Sequence, residues 1–256
     1  MDTQAAIDVL PSSDALMHAA AERFVSCAVT AIGNHGRFVV ALAGGSTPKK
    51  LYAGLANAAH AQRIDWGHVH VFWGDERCLP ADDPQSNYHM TREALLDHVP
   101  LPAANIHRIH GEDPPAAAAS AYERELRSIF ATPAGAPRPV AGGRFDLILL
   151  GMGDNGHTAS LFPGLTAVHE TQRWVAAEYV GEVSMWRVTL TPVVINAAAE
   201  VVFLVSGSDK AAMLQRVLEG PYQPGTLPAQ VVAPSDGQLR WLVDTAAAAR
   251  LKRRRE

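Results

Sequence analysis

Apolar positions set the rhythm of the chain. Between residues 13 and 32 they recur at helical spacing (Leu16, Ala19, Ala20, Phe24, Cys27, Ile32), with Ser13 as N-cap and Gly33 as stop, and predict an opening helix. Residues 38–43 then run without a polar side chain into Gly44-Gly45, the pattern of a buried strand entering a tight turn. Pro48 suits the first turn of a helix through Leu51, Tyr52 and Leu55. The same succession repeats at 68–73, with loop 74–85 and a helix over 86–98, and at 145–150, with loop 151–156 and another helix start. It returns at 201–205, with loop 206–209 and a helix over 210–218, and 241–243 precedes a final Ala-rich helix. Strands alternating with helices predict an α/β fold, a mostly parallel doubly wound sheet with helices on both faces.

Two Pro- and Gly-rich stretches, 132–143 and 220–228, read as surface loops, because neither coincides with a composition shift that would mark a boundary. No repeat at solenoid periods is present. The economical organisation is one α/β domain over residues 1–256 with a small β-rich excursion at 174–190.

Composition narrows the function classes. The 256 residues carry 22 basic and 26 acidic side chains, a net charge of -4 and 48% hydrophobic residues, as in an ordinary soluble domain. That balance lacks the footprint of a nucleic-acid binder, and the one basic cluster, at 252–255, reads as a solvated end. No run approaches the roughly 18 consecutive apolar residues of a spanning helix, so no membrane and a cytoplasmic setting are expected. Cys27 and Cys78 form no disulfide framework; Cys27 reads as core, and Cys78, beside charged residues, lacks the partner pattern of a reactive thiol. His68 and His70 would share a strand face, and His107 and His110 make another close pair, yet no zinc-ligand spacing accompanies them. Neither metal nor cofactor is expected.

In a doubly wound sheet the chemistry belongs to loops at the carboxyl ends of strands. Gly44 and Gly45 would let the backbone approach a ligand, and Ser46 and Thr47 offer hydroxyls beside free amides: a phosphate cradle in outline, or a capped turn with nothing bound. Asp75, Glu76 and Arg77 place three charges where an apolar strand stops, which taken alone fits a solvated loop. Residues 151–156 match G-x-G-x-x-G, and Glu178 lies at the spacing of a ribose-binding acid, but Pro163 would cut short the crossover helix of a dinucleotide fold. His157 is expected in a first helical turn, free to titrate near neutrality. Lys210 opens a helix, where a cation is unfavourable by a few tenths of a kcal/mol to about one unless an anion is bound there, though a snorkelling surface lysine fits as well; Arg187 lies in the strand-like run 186–190.

Five segments carry a resemblance. Ala41-Leu-Ala-Gly-Gly-Ser-Thr-Pro48, Trp73-Gly-Asp-Glu-Arg77 with Ser86-Asn-Tyr88, the run from Gly151 through Gly-His-Thr-Ala-Ser-Leu-Phe-Pro to Gly164, Arg187-Val-Thr-Leu-Thr-Pro192 and Val205-Ser-Gly-Ser-Asp-Lys210 stand in the order found in 6-phosphogluconolactonases. The chain resembles that family from near residue 40 to 215. The resemblance implies the fold of glucosamine-6-phosphate deaminases and, more distantly, ribose-5-phosphate isomerases, and hydrolysis of 6-phosphogluconolactone in the pentose phosphate pathway. It implies a small sugar-phosphate substrate; with the charge balance, no nucleic-acid partner is expected, and the chain is expected as a monomer or small homo-oligomer. By the same likeness His157 is the general base, Asp75 and Arg77 are site residues, and Gly44, Gly45, Ser46, Thr47, Arg187 and Lys210 hold the phosphate. The family often has Asp two residues before the histidine; here Asn155 stands there, so either Asp75 or Asn155 would orient the imidazole. Related deaminases carry Glu five residues after the histidine, where this chain has Phe162, so deaminase or isomerase activity is the second reading and a non-catalytic sugar-phosphate sensor the third.

Overall fold

The computed structural model describes residues 5–131 and 143–252. Strand β1 (Ala6–Leu10) leads into α1 (Ser13–His35), β2 (Phe38–Leu42), α2 (Ser46–Ala56), α3 (Ala58–Ala61), β3 (Val69–Trp73), β4 (Asp75–Arg77), α4 (Asn87–Ala94) and α5 (Pro115–Phe130). The second segment holds β5 (Leu147–Leu150), β6 (Val175–Val180), β7 (Met185–Leu190), α6 (Pro192–Ile195), β8 (Glu200–Val205), α7 (Ala211–Glu219) and β9 (Gln238–Asp244).

Six strands pair in parallel in the order β1-β9-β8-β5-β2-β3. Every residue of β2, β5 and β8 is buried, as strands are when helices cover both faces, and the one charged residue among them, Glu200, is held by Arg23. The strand order reverses at the β2–β5 pair: the chain passes from β2 outward to β3, then returns to β5 and proceeds the other way to β8 and β9. A crevice opens outside the carboxyl ends of strands at such a reversal, and here the loops after β2 and β5 border it.

The β-rich excursion is a three-stranded antiparallel sheet, β4-β7-β6, larger than the 174–190 hairpin because it recruits β4 from the stretch read as a loop after β3. Gly74 joins the two sheets: its N–H donates to Leu42 O (2.8 Å), and its carbonyl accepts from Leu190 N (2.8 Å). At the open edge of β3, Tyr122 of α5 substitutes for a missing strand, its hydroxyl accepting from Trp73 N (2.7 Å) and donating to Trp73 O (2.9 Å).

Several boundaries depart from the sequence pattern. Ser12, one residue before the expected cap, accepts from Ala15 N, and α1 runs through Gly33 to close at Gly36, whose φ of 83° supplies the left-handed turn. By length and composition α1 could cross a membrane. In the fold, its Leu16, Ala20, Phe24 and Ala28 are core residues packed toward β2 and β9. Strand β1 was hidden in a short run at the start of the chain; its order comes from β9, more than 200 residues away. No helix follows β5: Gly156 and Ala159 adopt φ of 81° and 47°, which breaks any helical turn before Pro163. The dinucleotide reading loses its crossover helix accordingly, and Glu178 instead accepts from Thr166 Oγ1 and Ala167 N. The Ala-rich end forms only a 3-10 turn, Ala247–Arg250, started by Asp244 accepting from Ala247 N. Most of the 132–143 loop and of the 252–255 cluster lies outside the described residues.

Candidate active site

Strand alternation sorts the Gly74–Arg77 charges. Successive side chains of β4 face opposite ways, so Asp75 and Arg77 turn to the crevice and Glu76 turns inward. Glu76 is almost fully buried and accepts from Ser86 Oγ (3.0 Å), Asn87 N (2.8 Å) and Tyr88 N (2.8 Å), binding the start of α4 to β4. Burial raises its pKa, against the lowering effect of those backbone donors. Its role is architectural, and its neighbours on either side line the cleft.

Asp75 is held by Ser160 Oγ, which donates to Oδ2 (2.6 Å), and by Asn87 Nδ2, which donates to Oδ1 (3.3 Å) and to the Asp75 carbonyl (2.8 Å). Asn87 lies against Gly44 so closely that a Cβ there would overlap its amide. This explains the first glycine of the pair. The second, Gly45, takes φ of 104° at the start of α2, and no side chain caps that helix. Its first amides are therefore open to an anion.

His157 sits in a tight irregular loop. Gly153 N donates to His157 O (2.9 Å), and Thr158 Oγ1 donates to Gly151 O (2.9 Å). The imidazole stacks on Phe162 with ring centroids 4.0 Å apart and 16° between planes, and it lies against Gly153, where any Cβ would collide with it. Its Nδ1 donates to Asn155 Oδ1 (2.7 Å), and its backbone N–H donates to the same oxygen (3.1 Å). An amide oxygen can only accept, so Nδ1 carries the proton and Nε2 keeps a free lone pair. Asn155, not Asp75, is the group that orients the ring. Burial pushes the imidazole pKa below its usual range, partly offset by the nearby carboxylates of Asp75 and Glu182.

Arg77 and Arg187 stand directly opposite each other across the β4–β7 ladder. Like charges in that register repel, and both Nε groups are buried without a partner, so the pair has unmet demand for an anion. Burial, the largest influence, and Arg77 lower the Arg187 pKa, while Asp75 raises it. Arg77 also donates to the Gln85 carbonyl.

Gly44, Gly45, Asp75, Arg77, Asn155, His157 and Arg187 line one cleft of about 380 Å³. Three expected residues do not. Ser46 and Thr47 start α2 just beyond the wall, and Lys210 stands behind Asp154, whose carboxylate takes its ammonium. Asn87, Ser160, Phe162 and Glu182 are also among the lining residues. Asn87, Ser160 and Phe162 were visible within the sequence motifs, but nothing in the pattern marked Glu182.

The remaining candidates have structural explanations. His70 and His107 stack in the core (Nδ1 to Nε2, 3.0 Å), and His107 pairs with Glu125 (2.6 Å). Burial and His107 hold His70 down to about 4. Burial pushes the Cys27 and Cys78 thiols up to about 12 and about 11, far from thiolate reactivity. His18, Glu22 and His60 lie close enough to ligate a metal, but Arg63 holds both oxygens of Glu22 (2.6 and 2.9 Å).

The profile of a family described as glucosamine-6-phosphate isomerases/6-phosphogluconolactonase matches residues 11–241. The chain belongs to this family. A Nostoc protein named 6-phosphogluconolactonase is 40% identical over 249 residues, covering 96% of this chain and 98% of its own length. The solved 6-phosphogluconolactonase of Trypanosoma brucei superposes with a TM-score of 0.84 at 30% identity, covering 98% of this chain and 100% of that one. A monomeric glucosamine-6-phosphate deaminase shares the fold, with a TM-score of 0.80 at 21% identity over 96% of this chain and 99% of its own. The mostly parallel sheet of the family is therefore the architecture of this chain.

Proposed function

We propose that the chain is a 6-phosphogluconolactonase that hydrolyses 6-phospho-D-glucono-1,5-lactone to 6-phospho-D-gluconate, with His157 as general base. The observation that carries the reading is the Nε2 lone pair of His157, held free by the Asn155 acceptor, in the same cleft as Arg77 and Arg187, whose buried Nε groups lack a partner.

The 6-phosphate binds Arg187 and Arg77 and the open amides at the start of α2, with Gly44 and Gly45 allowing close approach and Ser46 and Thr47 supplying hydroxyls at the rim. Lys210 contributes by exchanging Asp154 for the phosphate. Binding at a distance from the reacting carbon positions the lactone carbonyl beside His157. Nε2 takes a proton from water, and the hydroxide adds to the carbonyl. The tetrahedral intermediate collapses by breaking the bond to the ring oxygen, which receives the proton from the imidazolium. Positioned proton transfer of this kind supplies about 10²- to 10⁴-fold. Asp75, on the other side of the cleft, stabilises the imidazolium through its charge. We read residues 1–256 as one domain, since the cleft draws on both sheets, and a cytoplasmic setting fits two unpaired cysteines.

Phe162 favours hydrolysis over aminosugar isomerisation: it presents a ring face to His157 and offers no second acid or base. The test generates the lactone in situ and follows its loss against the spontaneous rate. His157→Gln is expected to reduce turnover at least 100-fold while 6-phosphogluconate binding persists. Ammonia release from glucosamine 6-phosphate, or binding without any acceleration, would replace the lactonase reading.

A further inference from the structure

The geometry points to Glu182 as a positioning residue for the general base, acting through the side-chain amide of Asn155. The inference rests on the reading of His157 as that base. Asn155 uses both ends of its amide: Oδ1 accepts from the His157 ring and backbone, and Nδ2 donates to Glu182 Oε2 at 2.7 Å. Carboxylate, amide and imidazole thus form one hydrogen-bonded line ending at the Nε2 lone pair in the cleft.

A neutral amide has two ends, and only one of them serves a base. With oxygen toward Nδ1 the ring is locked as the Nδ1–H tautomer, and with nitrogen toward Nδ1 the proton would be forced onto Nε2 and the base lost. The carboxylate of Glu182 accepts only, so it fixes the nitrogen on its own side and the oxygen on the side of the histidine. A hydrogen bond to an ionised acceptor also polarises the amide, strengthening the Asn155 oxygen as an acceptor when the ring gains a proton. Glu182 has no comparable structural duty: it is exposed, in the 3-10 turn Gly181–Val183 at the tip of the β6–β7 hairpin, which closes at Ser184 with φ of 48°. Its neighbour Val183 also lines the cleft. The tip of the small sheet therefore completes the wiring of a histidine that the large sheet positions.

The charged groups facing the imidazole are Asp75 from β4, Arg187 from β7, Lys210 before α7 with its partner Asp154, and Glu182. Glu182→Gln removes one negative charge from this set without removing bulk. It is expected to lower kcat by about tenfold, the lower end of what outer partners of a functional histidine contribute at metal sites, with KM changed less than about twofold. The acid limb of kcat/KM should move to lower pH. Adding Asn155→Asp to Glu182→Gln places a carboxylate directly on Nδ1 and should restore kcat to within about threefold of the original enzyme. A hairpin that only shapes the cleft would give no such rescue. Wild-type kcat and an unmoved pH profile in Glu182→Gln would overturn the assignment, as would a loss that Asn155→Asp fails to restore. Nitrogen NMR of the His157 ring reads the same coupling without turnover: Nδ1–H in the original chain and a lowered titration midpoint in Glu182→Gln support it, and an identical titration overturns it. Because this readout needs no lactone, failure of the coupling and failure of the lactonase reading are separable: an inactive His157→Gln beside a fully active Glu182→Gln refutes only the coupling.

Discussion

Gly153→Ala is the sharpest probe of the base. Gly153 does not adopt a positive φ, so alanine meets no backbone penalty there. The added methyl meets the imidazole first: Cγ, Nδ1 and Cε1 of His157 would all fall inside the 3.0 Å that real Cβ contacts respect. The ring has little room to yield, since Phe162 is stacked on it at 4.0 Å and Asn155 holds Nδ1 at 2.7 Å. Relief requires a retreat of roughly 1 Å, which breaks the stack or the Asn155 bond, and a misplacement of that size costs about 100-fold in rate. Binding at the proposed phosphate site should change little. The assay is steady-state lactone hydrolysis corrected for the spontaneous reaction, with a thermal melt alongside. We expect kcat to fall about 100-fold, KM to stay within about threefold and the fold to lose about 1–3 kcal/mol, leaving it intact at assay temperature. A kcat within a few-fold of the original enzyme would show that the ring either is not the base or is not held where the hydrogen bonds place it.

Other outcomes follow from the same geometry. Burial lowers the His157 pKa from its ordinary 6.5, so the acid limb of kcat/KM should fall below pH 6.5; a midpoint at or above that value refutes the assignment. The stability sign is the same: the unfolded chain takes up this proton first as pH drops, so the folded state loses stability as pH falls below 6.5 through the lower folded pKa, measurable by denaturant midpoints. Arg187→Met should raise KM about 10- to 100-fold with a smaller effect on kcat, and a pure kcat loss would remove Arg187 from the phosphate site. Tyr122→Phe strands the Trp73 amide and carbonyl at the edge of β3, and should cost about 1–3 kcal/mol in chemical denaturation with little change in KM.

Much of this protein was legible before any coordinates. The apolar runs at 38–43, 147–150 and 201–205 fit buried strands, because a parallel sheet covered on both faces is lined almost throughout by apolar side chains. Caps and glycines located the turns to within a few residues, and local chemistry limited the candidate site to four loops. Long-range partners decided the rest. β1 is ordered by a strand at the opposite end of the chain, and β4 is a strand only because β7 lies beside it. The assignment within Asp75-Glu76-Arg77 depended on which face of β4 met α4, a fact absent from three adjacent charges. The loop at His157 resembled a helix start until the left-handed turns at Gly156 and Ala159 were seen, since a residue's φ reflects the packing that holds it as well as its identity. Glu182 lay beyond any local pattern: it is 27 residues from Asn155 in sequence and reaches it only because a hairpin of the small sheet folds over the crevice of the large one. Sequence alone determined which segments could bury apolar surface and where the backbone could turn, because those are properties of neighbouring residues. Which side chains meet around the histidine was decided by the tertiary structure, because hydrogen bonds form between groups brought within about 3 Å, wherever they stand in the chain.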